Sequence, residues 1–185
     1  ITLLEYYTHN ANTIDYRVSS DQEVVDLLAD SKIVCVFGGG SESGRRALGN
    51  RSILADPRSP LMKDLINDKV KHRQSYRPFA PAILAEHADD YFQGVTGPYM
   101  QYTAKCKQPD KFPAIIHLDG TSRVQAVSKD DTSGFRTLLE TWYAETGCPM
   151  LLNTSLNIRG EPLVNTRQDA TRWTKNYGVQ VCLPK

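Results

Sequence analysis

Four stretches of this 185-residue chain bring together residue types able to handle a small polyanion. The first runs Gly38-Gly39-Gly40-Ser41-Glu42-Ser43-Gly44-Arg45-Arg46-Ala47-Leu48-Gly49-Asn50-Arg51-Ser52, directly after an apolar run. Glycine-rich loops in that position often offer backbone N–H groups to phosphates. Two common templates fail. Gly39 and Gly44 have P-loop spacing, but Arg45-Arg46 stands where a Lys-Ser/Thr pair would supply the magnesium-binding hydroxyl. Gly38-x-Gly40-x-x-Ser43 lacks the third glycine of a dinucleotide fingerprint. Taken alone, the loop reads either as a phosphate cradle or as a solvated turn with arginines.

The second stretch, Lys69 to Pro81, holds Lys71, Arg73 and Arg77. Cations at alternating positions of an extended chain project to one side. Arg77, which precedes Pro78, is steered toward extended geometry. Cations aimed at one place repel unless an anion answers them. The alternative is a solvated basic face. In the third stretch, His117-Leu118-Asp119-Gly120-Thr121-Ser122-Arg123-Val124-Gln125, His-x-Asp offers two metal ligands, too few for a site. A turn at Asp119-Gly120 accounts for that pattern, and Arg123 just beyond it could reach a phosphate. The fourth, Asn153-Thr154-Ser155-Leu156-Asn157-Ile158-Arg159-Gly160-Glu161-Pro162, is dense in hydrogen-bonding groups. If extended, it turns Ser155 and Asn157 to one side, a neutral pair suited to a nucleotide phosphate or ribose. An Asx/Ser turn is the alternative.

These stretches need a scaffold. Ser20-Asp21-Gln22-Glu23 forms a capping box for a helix through Val24, Val25, Leu27 and Leu28. Ile33–Phe37 reads as a buried strand that Gly38 ends. Ser59-Pro60 opens a second helix whose Leu61, Met62, Leu65, Ile66 and Val70 share a face. Phe79–Leu84 reads as a strand and Ala85–Phe92 as a short helix. Tyr99–Ala104, Ile115–Leu118 and Val124–Val127 are further strand candidates. Phe135, Leu138, Leu139, Trp142 and Tyr143 give a helical stripe that Gly147 stops. Met150–Leu152 reads as a strand, Thr166 and Asp169 cap a helix to about Tyr177, and Val179–Leu183 closes with a strand. The alternation predicts an α/β (α+β) fold with a twisted mixed sheet.

Length and composition set limits. One domain over residues 1–185 is expected, with a lead-in at 1–19 and a core at about 20–183. The chain begins at Ile1 rather than Met, which fits one domain of something larger. No run approaches the roughly 20 apolar residues of a membrane span, and no signal peptide opens the chain. Cys35, Cys106, Cys148 and Cys182 lack metal-ligand spacing and read as reduced, structural thiols of a cytoplasmic protein. The 22 Lys+Arg and 21 Asp+Glu give a net charge of only +1. That balance hides a segment, residues 45–77, with 9 Lys/Arg against 3 Asp/Glu. A local cationic segment in an otherwise acidic chain suits a pocket for small polyanions better than a broad nucleic-acid surface.

The four stretches, in this order, resemble the C-terminal domain of NodU/TobZ-type carbamoyltransferases. That family's pattern reads roughly GxRALGNRSILADPR, KxRxxxRPFAP, HxDGTxRxQ and NTSxNxxGEP, and the likeness runs from about Val24 to Trp173. The domain in turn resembles the YrdC fold, whose KxR and SxN signature corresponds to Lys71-His72-Arg73 and Ser155-Leu156-Asn157. The resemblance implies a YrdC-like domain that forms carbamoyl-adenylate from carbamoyl phosphate and ATP. It assigns Arg46, Lys71, Arg77 and Arg123 to the phosphates of both substrates, with Arg73, Ser155, Asn157 and Arg159 lining the same site. It implies Mg2+ entering with ATP as co-substrate, no metal cage of protein ligands and no tightly bound cofactor. A separate N-terminal actin/Hsp70-like domain would carry out transfer to an acceptor hydroxyl. The chain departs from the pattern in two places. Gly38-Gly39-Gly40 replaces the usual Gln-Gly-Arg, and Arg45 replaces a proline, so an arginine has in effect moved from 40 to 45. That change favours, as an alternative, a nucleotide-binding relic or regulatory domain without turnover. A third reading, an RNA-binding module, lacks RNP-type aromatics and net basicity.

Overall fold

A computed structural model describes residues 17–74, 76–179 and 181–184. Both capping boxes form. The Ser20 hydroxyl accepts from the Glu23 N–H, and the Glu23 carboxylate accepts from the Ser20 N–H, starting α1 (Asp21–Ala29). The Thr166 and Asp169 pair does the same for the last helix, Arg167–Tyr177. Pro60 opens α2 (Pro60–Ile66), which widens into a π-helical turn over Asn67–Lys71. A short α3 (Ala88–Tyr91) and α4 (Phe135–Thr146) follow, and the last helix is α5. Gly147 and Gly178 end α4 and α5 in left-handed conformations that a Cβ would disfavour.

The strands are β1 (Arg17–Ser19), β2 (Val34–Phe37), β3 (Arg51–Ala55), β4 (Ala80–Leu84), β5 (Phe92–Gln93), β6 (Thr103–Cys106), β7 (Thr121–Arg123), β8 (Gln125–Val127), β9 (Met150–Ser155) and β10 (Val181–Pro184). Seven form one mixed sheet in the order β1-β10-β2-β3-β9-β4-β8. The β1/β10, β10/β2 and β4/β8 pairs are parallel, and β3 runs antiparallel to both β2 and β9. β5, β6 and β7 form a small antiparallel sheet. The central β3, β4 and β9 are buried along most of their length, with Ile53, Leu54, Ala82, Ile83, Leu151 and Leu152 fully enclosed. Trp142 on α4 locks the helix to β9 by donating its indole N–H to Met150 O at 3.0 Å.

The expected mixed α/β class holds, with several local corrections. Arg51–Ala55, given no element in the sequence reading, is a central strand. Ile115–Leu118 is not a strand: Pro113–Ile115 is a 3-10 turn and Leu118 projects at 91% exposure from the turn that leads into β7. The Tyr99–Ala104 strand begins only at Thr103, and Val124 separates two short strands. Ala85–Phe92 is a 3-10 turn followed by α3, and Phe92 already belongs to β5. Leu61 faces solvent rather than the core. The end of the proposed lead-in, Arg17–Ser19, pairs with β10, while residues 1–16 lie outside the described residues.

Candidate functional site

The site is built where the π-helical turn meets the end of β9. A wide turn after α2 buries Val70 and delivers Lys71 inward, toward the last residue of β9. The Lys71 ammonium donates to the Ser155 carbonyl, to Ser155 Oγ at 3.1 Å and to Asn157 Oδ1 at 2.9 Å. Ser155 Oγ donates to Asn157 Oδ1 at 2.7 Å. Asn157 is held in turn: its Nδ2 donates to Glu161 O at 2.9 Å, and its carbonyl accepts from Trp173 Nε1 at 3.1 Å. Burial, and then the neighbouring Arg73, push the Lys71 ammonium down to about 7, with the Cys35 thiol opposing. The KxR and SxN residues therefore do meet. They meet through a turn, since His72 adopts φ 46° and Arg77 N–H donates back to Gln74 O at 3.2 Å. The extended alternating strand expected from the sequence is corrected on this point.

The arginines extend from that lysine as a series of mutually repelling neighbours. Arg73 lies over the Phe79 ring at 4.5 Å. Burial and repulsion from Arg77 and Arg123 lower Arg73 to about 10. Burial and repulsion from Arg46 lower Arg123. Among the described residues, none of Arg46, Lys71, Arg73, Arg77 and Arg123 is paired with a carboxylate. Arg123 Nε is buried without a hydrogen-bond partner. Burial and neighbouring cations lower the proton affinity of Lys71, Arg73 and Arg123, and with no acid to answer them the group is poised for an anion. Arg159 stands slightly apart and exposed. It donates to His72 O at 2.8 Å and ties the Asn157 loop to the Lys71 turn.

The far end of the glycine-rich stretch is closed by a carboxylate from within it. Glu42 Oε1 accepts from the backbone N–H groups of Leu48 at 2.7 Å, Asn50 at 2.9 Å and Arg51 at 3.4 Å. A carboxylate of the loop itself thus occupies these three backbone donors. Arg51 is a packing residue: it lies 3.6 Å over the Phe37 ring and donates to Val164 O at 2.9 Å and Gly38 O at 2.6 Å. Gly49 has φ 126°, and a Cβ there would stand 2.5 Å from the Phe135 ring, so only glycine fits. Two residues carried in the motifs but given no role pin the segment that bears Arg46. Asn153 Nδ2 donates to Ala47 O at 3.1 Å and Gln125 Oε1 at 2.8 Å, and Gln125 Nε2 donates to Leu48 O at 2.8 Å. Their only sequence signal was polarity inside otherwise apolar strands.

Beside the cations opens a cleft of about 740 Å³ between the 41–45 loop and the segment from Ser155 to Arg172. Its charged lining groups are Glu42, Arg45, Glu161, Asp169 and Arg172, nearly balanced in sign, and Arg172 pairs with Glu161 at 2.7 Å. Ser155 and Asn157 belong to both the cleft and the Lys71 cradle. The arrangement offers a strongly cationic end and a neutral, polar end. His117 and Asp119 serve their own turn instead. Asp119 Oδ1 accepts from Thr121 N at 2.9 Å and from Thr121 Oγ1 at 2.7 Å, and His117 Nδ1 lies 2.9 Å from that hydroxyl. The four cysteines are buried and not joined in disulfides. No helix among the described residues is long and apolar enough to cross a membrane.

Residues 25–183 match the family model described as carbamoyltransferase C-terminus. The chain is 40% identical over 165 residues to nodulation protein NolO of Bradyrhizobium diazoefficiens, covering 85% of this chain and 30% of that protein. It is 41% identical over 157 residues to nodulation protein U of Sinorhizobium fredii, covering 83% of this chain and 28% of that protein. The chain therefore spans less than a third of the length of these relatives. Among solved structures, full-length HypF in a phosphate- and nucleotide-bound form superposes with a TM-score of 0.62 at 16% identity, over 90% of this chain and 24% of that one. The mixed sheet with its flanking helices is thus the YrdC-like fold that the sequence resemblance implied.

Proposed function

Because the chain belongs to the carbamoyltransferase C-terminal family, we propose that it is the carbamoyl-adenylate-forming domain of an O-carbamoyltransferase. The observation that carries this reading is the cluster of five unanswered cations at the Lys71 cradle, next to a neutral polar cleft. A nucleoside triphosphate has the same polarity: its phosphates suit Arg46, Lys71, Arg73, Arg77 and Arg123, and its uncharged nucleoside suits the cleft. In the proposed step a carbamate oxygen attacks the α-phosphorus of ATP, forming a P–O bond as pyrophosphate leaves with the electron pair of the broken one. Carbamoyl phosphate supplies that carbamate by losing its phosphoryl group to water, so one inorganic phosphate and one pyrophosphate form per adenylate. Fixed guanidinium groups in a partly dry site stabilise the charge that develops on the phosphoryl oxygens and on pyrophosphate. No side-chain nucleophile is needed, and positioning carries the rest. Mg2+ would arrive on the triphosphate. Transfer to an acceptor hydroxyl belongs to the further sequence that the longer relatives possess.

The test is calorimetry of the 185-residue chain with ATP and with carbamoyl phosphate, paired with separate assays for phosphate and pyrophosphate release. Binding of both, with pyrophosphate appearing only when both are present, is the expected result. A folded chain that binds neither ligand refutes the reading. Nucleotide binding that never yields pyrophosphate, even with the rest of a longer relative added, leaves a regulatory domain instead.

A further inference from the structure

One fully buried polar residue touches the cation cluster and none of the roles above uses it. Asn67 is 0% exposed, at the start of the π-helical turn. Its Oδ1 accepts from Arg73 Nε at 2.7 Å, and its Nδ2 donates to Arg77 O at 3.0 Å. Its backbone carbonyl accepts from Arg73 N–H at 3.2 Å and from the His72 N–H. Four hydrogen bonds from a single residue thus shape the 72–77 loop.

We propose that Asn67 is a positioning residue that holds Arg73 and Arg77 toward a bound polyanion while leaving their charge intact. Arg73 is repelled by Arg77 and Arg123, so something must keep it in place. A carboxylate would anchor a guanidinium more strongly than an amide does. It would also cancel the charge that the site needs. The neutral amide oxygen, together with the Phe79 ring under the guanidinium, anchors Arg73 without that cancellation. The amide nitrogen then fixes the Arg77 backbone, which a carboxylate could not do.

The inference rests on reading the cation cluster as an anion site, and the experiment separates the two. The 185-residue chain and its Asn67→Asp and Asn67→Ser variants are titrated with inorganic pyrophosphate at low and high salt, with thermal unfolding recorded on the same samples. Asn67→Asp is nearly isosteric and keeps an acceptor for Arg73. It is expected to lose at least about tenfold in affinity and to show a flatter salt dependence, since one site charge is answered from within. Asn67→Ser, neutral but too short to bridge, is expected to lose affinity less and to keep the wild-type salt dependence. Unchanged affinity in both folded variants overturns the proposal. So does equal loss in both with unaltered salt dependence, because only an uncharged structural role predicts that. If Asn67→Asp does not fold, Asn67→Ser decides: full wild-type affinity overturns the proposal. If the wild-type chain fails to bind pyrophosphate, the anion site itself falls, and this inference with it.

Discussion

Lys71 offers the sharpest test of the electrostatics. Its ammonium is pushed from an ordinary 10.5 to about 7 by burial and by Arg73. The unfolded chain holds that proton up to about 10.5, whereas the folded chain is half-deprotonated near 7. In between, the unfolded state binds more protons, so stability rises with pH and the penalty of the buried charge is lost. Across the whole window the ceiling is about 5 kcal/mol at ~1.4 kcal/mol per pH unit. The three acceptors around the ammonium favour its charged form and reduce that figure. From pH 7 to 8.5 the expected gain is about 1.5 kcal/mol. It should appear in urea unfolding of the wild-type chain and vanish in Lys71→Met. A bound polyanion keeps the ammonium charged, so its affinity must run the other way. Over the same window, pyrophosphate affinity of the wild type should fall on the order of tenfold relative to Lys71→Met, whose pH dependence carries only the ligand's own titration. The signature is a pair of opposed slopes from one group. Parallel slopes in wild type and variant, in either assay, would refute the placing of Lys71 as a desolvated, anion-facing ammonium.

Two further perturbations probe the parts around it. Arg123 Nε is buried and unpartnered, and burial, then repulsion from Arg46, lowers its affinity for a proton. Arg123→Met should therefore weaken pyrophosphate by about tenfold in calorimetry with no loss of melting temperature, because a repulsive charge is removed; retained affinity would exclude Arg123 from the site. Glu42 satisfies three backbone N–H groups of the arginine-bearing loop. Glu42→Leu should lower stability by about 2 kcal/mol in urea unfolding, and an unchanged midpoint would contradict its structural role.

Much of the scaffold was legible because its signals are local. A capping box needs only a hydroxyl and an acid three residues apart, and both boxes form where they were read. β3 was missed because Arg51 opens it. A guanidinium ordinarily marks solvent, but this one is buried over Phe37 with carbonyls from Val164 and Gly38 that lie far off in sequence. The same non-locality hid the site's geometry. Alternating cations suggested an extended strand, whereas the left-handed His72 after a π-helical turn brings Lys71 to Ser155, 84 residues away. The choice of site residues rested on motifs and not on that geometry, and the positions it left without roles, Asn67, Gln125 and Asn153, are buried amides that hold neighbouring loops in place.

Those amides point to a division of labour in how this chain anchors its cations. Three arginines of the scaffold and the cleft rim are answered by carboxylates: Arg136 grips Glu86 and Glu140, Arg58 grips Asp56, and Arg172 grips Glu161, while the packing residue Arg51 is held by carbonyls and the Phe37 ring. Where a cation faces the proposed phosphates, only neutral acceptors and rings hold it. Ser155 and Asn157 hold Lys71, and Asn67 and Phe79 hold Arg73. Neutral anchors are weaker, and the mutual repulsion they leave behind is a cost to the free fold. The cost is recovered when a polyanion enters, since every one of the clustered charges is then answered at once. On this logic, adding a carboxylate to the inner ring at a position whose side chain donates no hydrogen bond should raise the stability of the free chain and lower its affinity together, while a neutral substitution that merely loosens the ring should lower both.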